Sequence, residues 1–188
     1  MQINSKIHFI GISGIGMSGI AELMLDKGYS IQGSDISVND NTKRLKKKGI
    51  KFFLGHNKKN IKYAHAVVYS SAIKKNNPEI REAYIKKIPV LSRADMLSEL
   101  MKNKKSIAIA GSHGKTTTTS LVGNIFNEAG LDPTIVNGGI INSFSNNNRY
   151  GKGEWMIVEA DESDGTFLKL PHQISIITNL DIEHMDFY

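Results

Sequence analysis

The sequence predicts an α/β chain in two parts, a Rossmann-like domain followed by an incomplete P-loop domain. Three observations carry that prediction. Two glycine-rich turns, Gly11-Ile12-Ser13-Gly14-Ile15-Gly16-Met17-Ser18-Gly19 and Gly111-Ser112-His113-Gly114, each follow a short apolar run and open a stretch of helical periodicity. Strand-like and helix-like stretches alternate along the chain, as in parallel sheets with crossover helices. The polar stretch Lys102-Asn103-Lys104-Lys105 interrupts the alternation, which sets the expected domains at 1–103 and 104–188.

Taken in order, residues 6–10 read as a first strand. Met17, Ile20, Ala21, Met24 and Leu25 then make one helical face, and Gly28 closes it. Residues 29–34 form a second strand ending at Asp35, which completes a βαβ start. Asn41 to Lys48 is a polar helix closed by Gly49, and Ile50 to Phe53 a strand followed by Gly55-His56. Ala66 to Tyr69 is a buried strand running into Ser70-Ser71. Pro78 starts a helix in the position where a missing N–H does no harm. Pro89 to Leu91 is a strand, and Arg93 to Met101 a helix with Ala94, Leu97, Leu100 and Met101 inward.

In the second part, Ser106 to Ala110 is a buried strand, and Leu121, Val122, Ile125, Phe126 and Ala129 mark the core face of the next helix. Pro133 to Val136 is short and extended, followed by a tight backbone site at Asn137-Gly138-Gly139, and Asn146-Asn147-Asn148 reads as an exposed loop. Trp155 to Val158 and Gln173 to Thr178 are strands, each ending in acidic residues. The core of this part is small for a P-loop domain, so the chain reads as the front of a longer protein.

Composition excludes several classes. Hydrophobic residues at 40% and charged residues at 22% suit a soluble globular protein. Without cysteine there is no disulfide framework, thiolate nucleophile or cysteine metal site. No apolar run nears the ~20 residues of a membrane span, and no export signal is evident, so a cytoplasmic protein without membrane association is expected. The net charge of +6 sits in short lysine clusters without interleaved aromatics, which argues against nucleic acid and for small anionic ligands. Nothing in the sequence marks an oligomeric state.

The chemistry gathers at the glycine turns. A helix N-terminus after a glycine turn directs free N–H groups and the positive dipole end at one anion. In the second turn Lys115 adds a full charge, and the Thr116 hydroxyl is placed to ligate Mg2+ on a nucleoside triphosphate. The full Walker pattern would need glycine where Ile109 stands, so this loop is a shortened variant. Glu159, Asp161, Glu162 and Asp164 compete to hold the metal, while His184 reads more readily as a hydrogen-bonded loop histidine than as a metal ligand, and His113 is similarly ambiguous. The first turn, Gly14-x-Gly16-x-x-Gly19 with Asp35 at the next strand end, matches a dinucleotide fingerprint.

Four stretches together resemble the Mur ligase family: Gly11 to Glu22, Gly111 to Thr118, Glu159 to Asp164, and Thr178-Asn179 through His184-Met185-Asp186. The shortened loop is that family's form. The resemblance implies that the first domain binds the UDP part of UDP-N-acetylmuramic acid, not NAD. Ser13, Gly14, Ile15, Gly16, Met17 and Ser18 would cradle the diphosphate, with Asp35, His56, Ser70 and Ser71 near the uridine and its phosphates. It further implies ATP and Mg2+ on Gly111, Ser112, His113, Gly114, Lys115, Thr116 and Thr117. Lys115 would hold phosphates, Thr116 and Glu159 one Mg2+, and Glu159 with His184 a second metal; Asn137 would contact substrate, with Gly138 and Gly139 beside it.

The reaction implied is ATP-dependent: L-alanine is joined to the lactyl carboxylate through an acyl phosphate, in peptidoglycan precursor synthesis. Lys115, Glu159 and His184 are the catalytic candidates. Glu183 stands where the family usually has aspartate, and a third domain that helps bind ATP and the amino acid is missing, so these 188 residues alone are expected to be inactive. The competing readings are the family's murein tripeptide recycling ligase, an NAD-dependent oxidoreductase, and a non-catalytic nucleotide-binding module.

Overall fold

A computed structural model describes residues 5–141, 146–160 and 166–181. It divides into two compact units, Met1–Met96 and Leu97–Tyr188. Each is an α/β unit built on a five-stranded sheet.

In the first unit the strands are β1 (Lys6–Ile10), β2 (Ser30–Asp35), β3 (Lys51–Leu54), β4 (Ala66–Tyr69) and β5 (Val90–Ser92). All pair in parallel, in the order β3-β2-β1-β4-β5. That is a Rossmann order, with a switch point between β1 and β4 at the carboxyl edge. The helices are α1 (Ile15–Asp26), α2 (Asp40–Lys47), α3 (Pro78–Ile85) and α4 (Arg93–Met101), the last spanning the division between units. A 3-10 turn at Lys58–Ile61, not expected from the sequence, seats Ile61 with Ile10, Val67, Ile80 and Ala83 in one apolar cluster.

The second unit contains β6 (Lys105–Ala110), α5 (Lys115–Glu128), β7 (Thr134–Ile141), β8 (Asn146–Arg149), β9 (Trp155–Glu159) and β10 (Ile174–Ile177). The sheet order is β10-β6-β9-β7-β8, parallel except for β8. The glycine loop therefore leaves a central strand, and β9 beside it ends at Glu159. One expectation fails here. The asparagine run is not an exposed loop but part of β8, paired antiparallel to β7, while Asn137-Gly138-Gly139 continues β7. The pairing offers those polar residues a ladder that composition alone does not reveal.

The core face of α5 is narrower than its apolar spacing predicts. Val122 and Phe126 pack on Ile107, Ile109 and Ile157, whereas Leu121 and Ile125 are exposed. Phe126 meets Trp155 edge-on at 5.2 Å. No described helix is long and apolar enough to cross a membrane.

Candidate functional site

Helix caps single out two places in the molecule. Asn39 closes α2 in a capping box with Thr42, Asn77 caps α3 through Glu79 N–H, and Ser92 pairs reciprocally with Asp95 at α4. The helices after the glycine turns, α1 and α5, have glycine N-caps with no side-chain bond and no acid in the first turn. No N-cap side chain bonds into either first turn, which is the arrangement an anion at a helix N-terminus needs.

At the second loop, the Lys115 ammonium folds back on the carbonyls of Gly111 and Ser112 at 2.5 and 3.1 Å. The Thr116 hydroxyl stands 3.2 and 3.0 Å from the two Glu159 oxygens. Cis oxygen ligands about 2.1 Å from an octahedral Mg2+ lie about 3 Å apart. The Thr116–Glu159 pair therefore fits one edge of a Mg2+ coordination sphere. Among the described residues, no cluster of three or more His, Asp and Glu is arranged to hold a metal. Asp161, Glu162, Asp164, Glu183 and His184 lie outside the described residues.

The loop is held from behind by the end of β10. Asn179 Oδ1 accepts from His113 N–H at 2.8 Å, and Thr178 and Asn179 both donate to the His113 carbonyl, at 2.5 and 3.2 Å. Ser112 Oγ accepts from Asp181 N–H at 3.0 Å. Gly111 adopts φ +131°, and a Cβ there would collide with the Thr178 hydroxyl and meet Asn179 O at 2.9 Å. Asn137 Nδ2 donates to the Thr116 carbonyl and to Ser120 Oγ at 3.2 and 2.9 Å, tying β7 to the start of α5. Thr117 is exposed on the first turn of α5.

In the first unit, Asp35 serves the loop itself. Its Oδ2 accepts from Ser13 N–H at 2.9 Å and Ser13 Oγ at 2.5 Å, and Oδ1 from Ile36 N–H at 2.7 Å. The Ser13 carbonyl accepts from Asn39 and Asn41. Gly14 and Ile15 are exposed at the loop crest, and Gly16 is half-buried. Met17 and Ser18 are buried, Met17 in the apolar core and Ser18 bonded to the Ile15 carbonyl, so their side chains face inward. Ser70 follows β4 beside Gly11, with its Cβ 3.1 Å from where a Gly11 Cβ would stand, and Ser71 is exposed. His56 is tied to Ser34 at 3.0 Å.

Sequence reasoning missed two residues near this loop. The Arg93 Nη1 lies 2.8 Å from where a Gly16 Cβ would be, so a guanidinium rests against the anion loop. Glu79 is wholly buried among His8, Ser34 and Asn60. Burial alone would raise its pKa, but the His8 hydrogen bond and attraction, with bonds from Ser34 and Asn60, outweigh it and hold the carboxyl below its ordinary value. Only the polarity of His8 inside an otherwise apolar strand hinted at this cluster.

A glycine loop before an uncapped helix on a Rossmann-like unit, followed by a Lys-Thr loop with a carboxylate at the adjacent strand end, is the arrangement of a P-loop protein. Residues 6–105 match the Mur ligase family catalytic domain, and residues 109–188 the Mur ligase middle domain. The chain belongs to the Mur ligase family. It is 58% identical over 183 residues to a UDP-N-acetylmuramate–L-alanine ligase of Azorhizobium caulinodans, covering 97% of this chain and 39% of that protein. The chain thus spans about two fifths of the length of the curated relatives it matches. The crystal structure of a UDP-N-acetylmuramate–alanine ligase from Thermotoga maritima superposes with TM-score 0.89 at 34% identity, over 96% of this chain and 43% of that one. A murein peptide ligase from Psychrobacter arcticus does so with TM-score 0.87 at 25% identity, over 97% and 44%.

Proposed function

We propose that the protein to which this chain belongs is an ATP-dependent ligase joining L-alanine to the lactyl carboxylate of UDP-N-acetylmuramic acid, a step of peptidoglycan precursor synthesis in the cytoplasm. The observation that carries the reading is the Thr116 hydroxyl set on both Glu159 oxygens at the foot of the Lys115 loop. A free carboxylate is a poor electrophile, and phosphorylation gives it a leaving group. The carboxylate oxygen attacks the γ-phosphorus and ADP leaves. The alanine nitrogen then attacks the acyl carbon, loses a proton, and phosphate departs.

Two anions must meet in the first step, and the residues answer that repulsion. The open N–H groups of α5 and Lys115 receive phosphate oxygens, Lys115 turning outward from the carbonyls it now holds. Thr116 and Glu159 would hold Mg2+, with His184 proposed at a second metal. The metal supplies charge neutralisation at the phosphates when bound. In the first unit Ser13 to Ser18 would cradle the UDP diphosphate, with Arg93 as a further cation against that loop. Asp35 orders the loop through Ser13.

The test is phosphate release by the full-length protein. ATP, UDP-N-acetylmuramic acid and L-alanine should all be required, and this chain alone should show little or no turnover. Turnover with murein tripeptide but not L-alanine would transfer the assignment to the recycling ligase, the class to which the Psychrobacter relative belongs.

A further inference from the structure

The first unit contains a buried polar cluster that the reaction above leaves unused. Glu79 is 0% exposed. Its Oε1 accepts from Asn57 N–H and Asn60 Nδ2 at 3.1 and 2.6 Å. Its Oε2 accepts from Ser34 Oγ and His8 Nε2 at 2.6 and 3.2 Å.

Proton directions follow from this arrangement. Gln32 Nε2 donates to the Asn60 carbonyl at 2.8 Å, which fixes its amide, and the same nitrogen lies 3.4 Å from His8 Nδ1. His8 Nδ1 is therefore the acceptor and Nε2–H the donor to Glu79. Ser34 has one proton, and the short bond to an ionised carboxylate takes it. Ser34 Oγ must then accept from His56 Nδ1 at 3.0 Å, and the same nitrogen stands 3.5 Å from Glu79 Oε2, a second acceptor for its hydrogen. In the uncharged form of the ring that hydrogen sits on Nδ1, and Nε2 is left as a lone-pair acceptor. No described side chain or backbone group bonds to that Nε2.

His56 follows β3, beside the end of β2, at the carboxyl edge where this class of sheet takes ligands. Leu54, in register with Asp35, and Ile36 are 67% and 77% exposed at the same edge. Exposed aliphatic side chains next to an outward acceptor suit the flat face and a polar hydrogen of a nucleoside.

We propose that Glu79 is a positioning residue: through Ser34, and through its own Oε2 beside His56 Nδ1, it fixes the His56 tautomer, so that Nε2 accepts a hydrogen bond from an N–H or O–H of the bound nucleoside. This rests on the UDP-binding reading of the first unit. The tautomer, however, is a property of the chain without ligand.

The test is 15N NMR of the histidine rings at about pH 8, with calorimetric titration of UDP, 2′-deoxy-UDP and N3-methyl-UDP. Wild type should show a protonated Nδ1 and an unprotonated Nε2 at His56. Substitution of Glu79 by Gln should populate the other tautomer and weaken UDP binding about tenfold, and Ser34→Ala should do so less, because Glu79 Oε2 stays 3.5 Å from His56 Nδ1. The penalty should vanish for whichever analogue lacks the recognised donor, which separates base from ribose. A wild-type His56 protonated on Nε2, or an unchanged tautomer in folded variants, overturns the proposal. If Glu79→Gln fails to fold, Glu79→Asp decides, because it keeps the charge but draws the carboxylate back from both Ser34 and His56. Wild type that shows the stated tautomer but binds no UDP refutes the nucleotide reading and the ligand half of this proposal together.

Discussion

Alanine at Gly111 and at Gly114 should have sharply different effects, although both sit in one loop at positive φ. At Gly114, φ is +77° and nothing lies within 4 Å of a new Cβ. The cost there is the left-handed backbone alone, about 1–2 kcal/mol. At Gly111, φ is +131°, and the Cβ runs into the Thr178 hydroxyl and the Asn179 backbone. Backbone strain of about 1–3 kcal/mol then adds to overpacking of about 1–3 kcal/mol. The expected difference between the variants is about 2 kcal/mol. Trp155 is the only tryptophan and lies in the second unit, so its fluorescence in urea follows that unit. With a slope of about 1–2 kcal/mol per molar, the midpoint of Gly111→Ala should fall about 1–2 M below that of Gly114→Ala. Equal midpoints would refute the claim that the end of β10 clamps the loop.

Other outcomes follow from the same geometry. Lys115→Ala should weaken binding of a fluorescent ATP analogue about 30-fold or more, with the urea midpoint of the second unit measured beside it to separate lost binding from lost folding. Gly123→Ala should destabilise the second unit by about 1–3 kcal/mol, since its Cβ would stand 2.6 Å from Ile135 Cδ1 where α5 crosses β7. For Glu79, the folded pKa lies below the unfolded one. Its stabilisation is therefore full above the ordinary glutamate range, near pH 4.3, and is lost as pH falls through the folded value. Urea midpoints of the first unit should drop between about pH 5 and 3 in wild type and show a shallower drop in Glu79→Gln.

Much of this architecture is legible locally. The strands at 6–10 and 106–110 and the turns after them are short-range patterns, and both appear as read. The shape of the two glycine loops follows from glycine placement and from helices without side-chain N-caps, again local features. What escaped the sequence is long-range. The pairing of β8 with β7 turns an asparagine run into a strand, because the ladder supplies bonds those side chains do not advertise. Asp35 finds Ser13, and Glu79 finds His8 across 71 residues, only once parallel strands bring their ends together. Leu121 and Ile125 carry helical periodicity yet face outward, since one sheet face covers only one stripe of α5.

The central claim is that the Lys115 loop phosphorylates a carboxylate on the substrate. It is tested most directly by supplying the full-length protein with UDP-N-acetylmuramic acid labelled with 18O in both lactyl carboxylate oxygens, together with ATP and L-alanine. Attack by a carboxylate oxygen on the γ-phosphorus, followed by loss of phosphate from the acyl carbon, predicts one 18O atom in each inorganic phosphate released. Unlabelled phosphate would contradict the account.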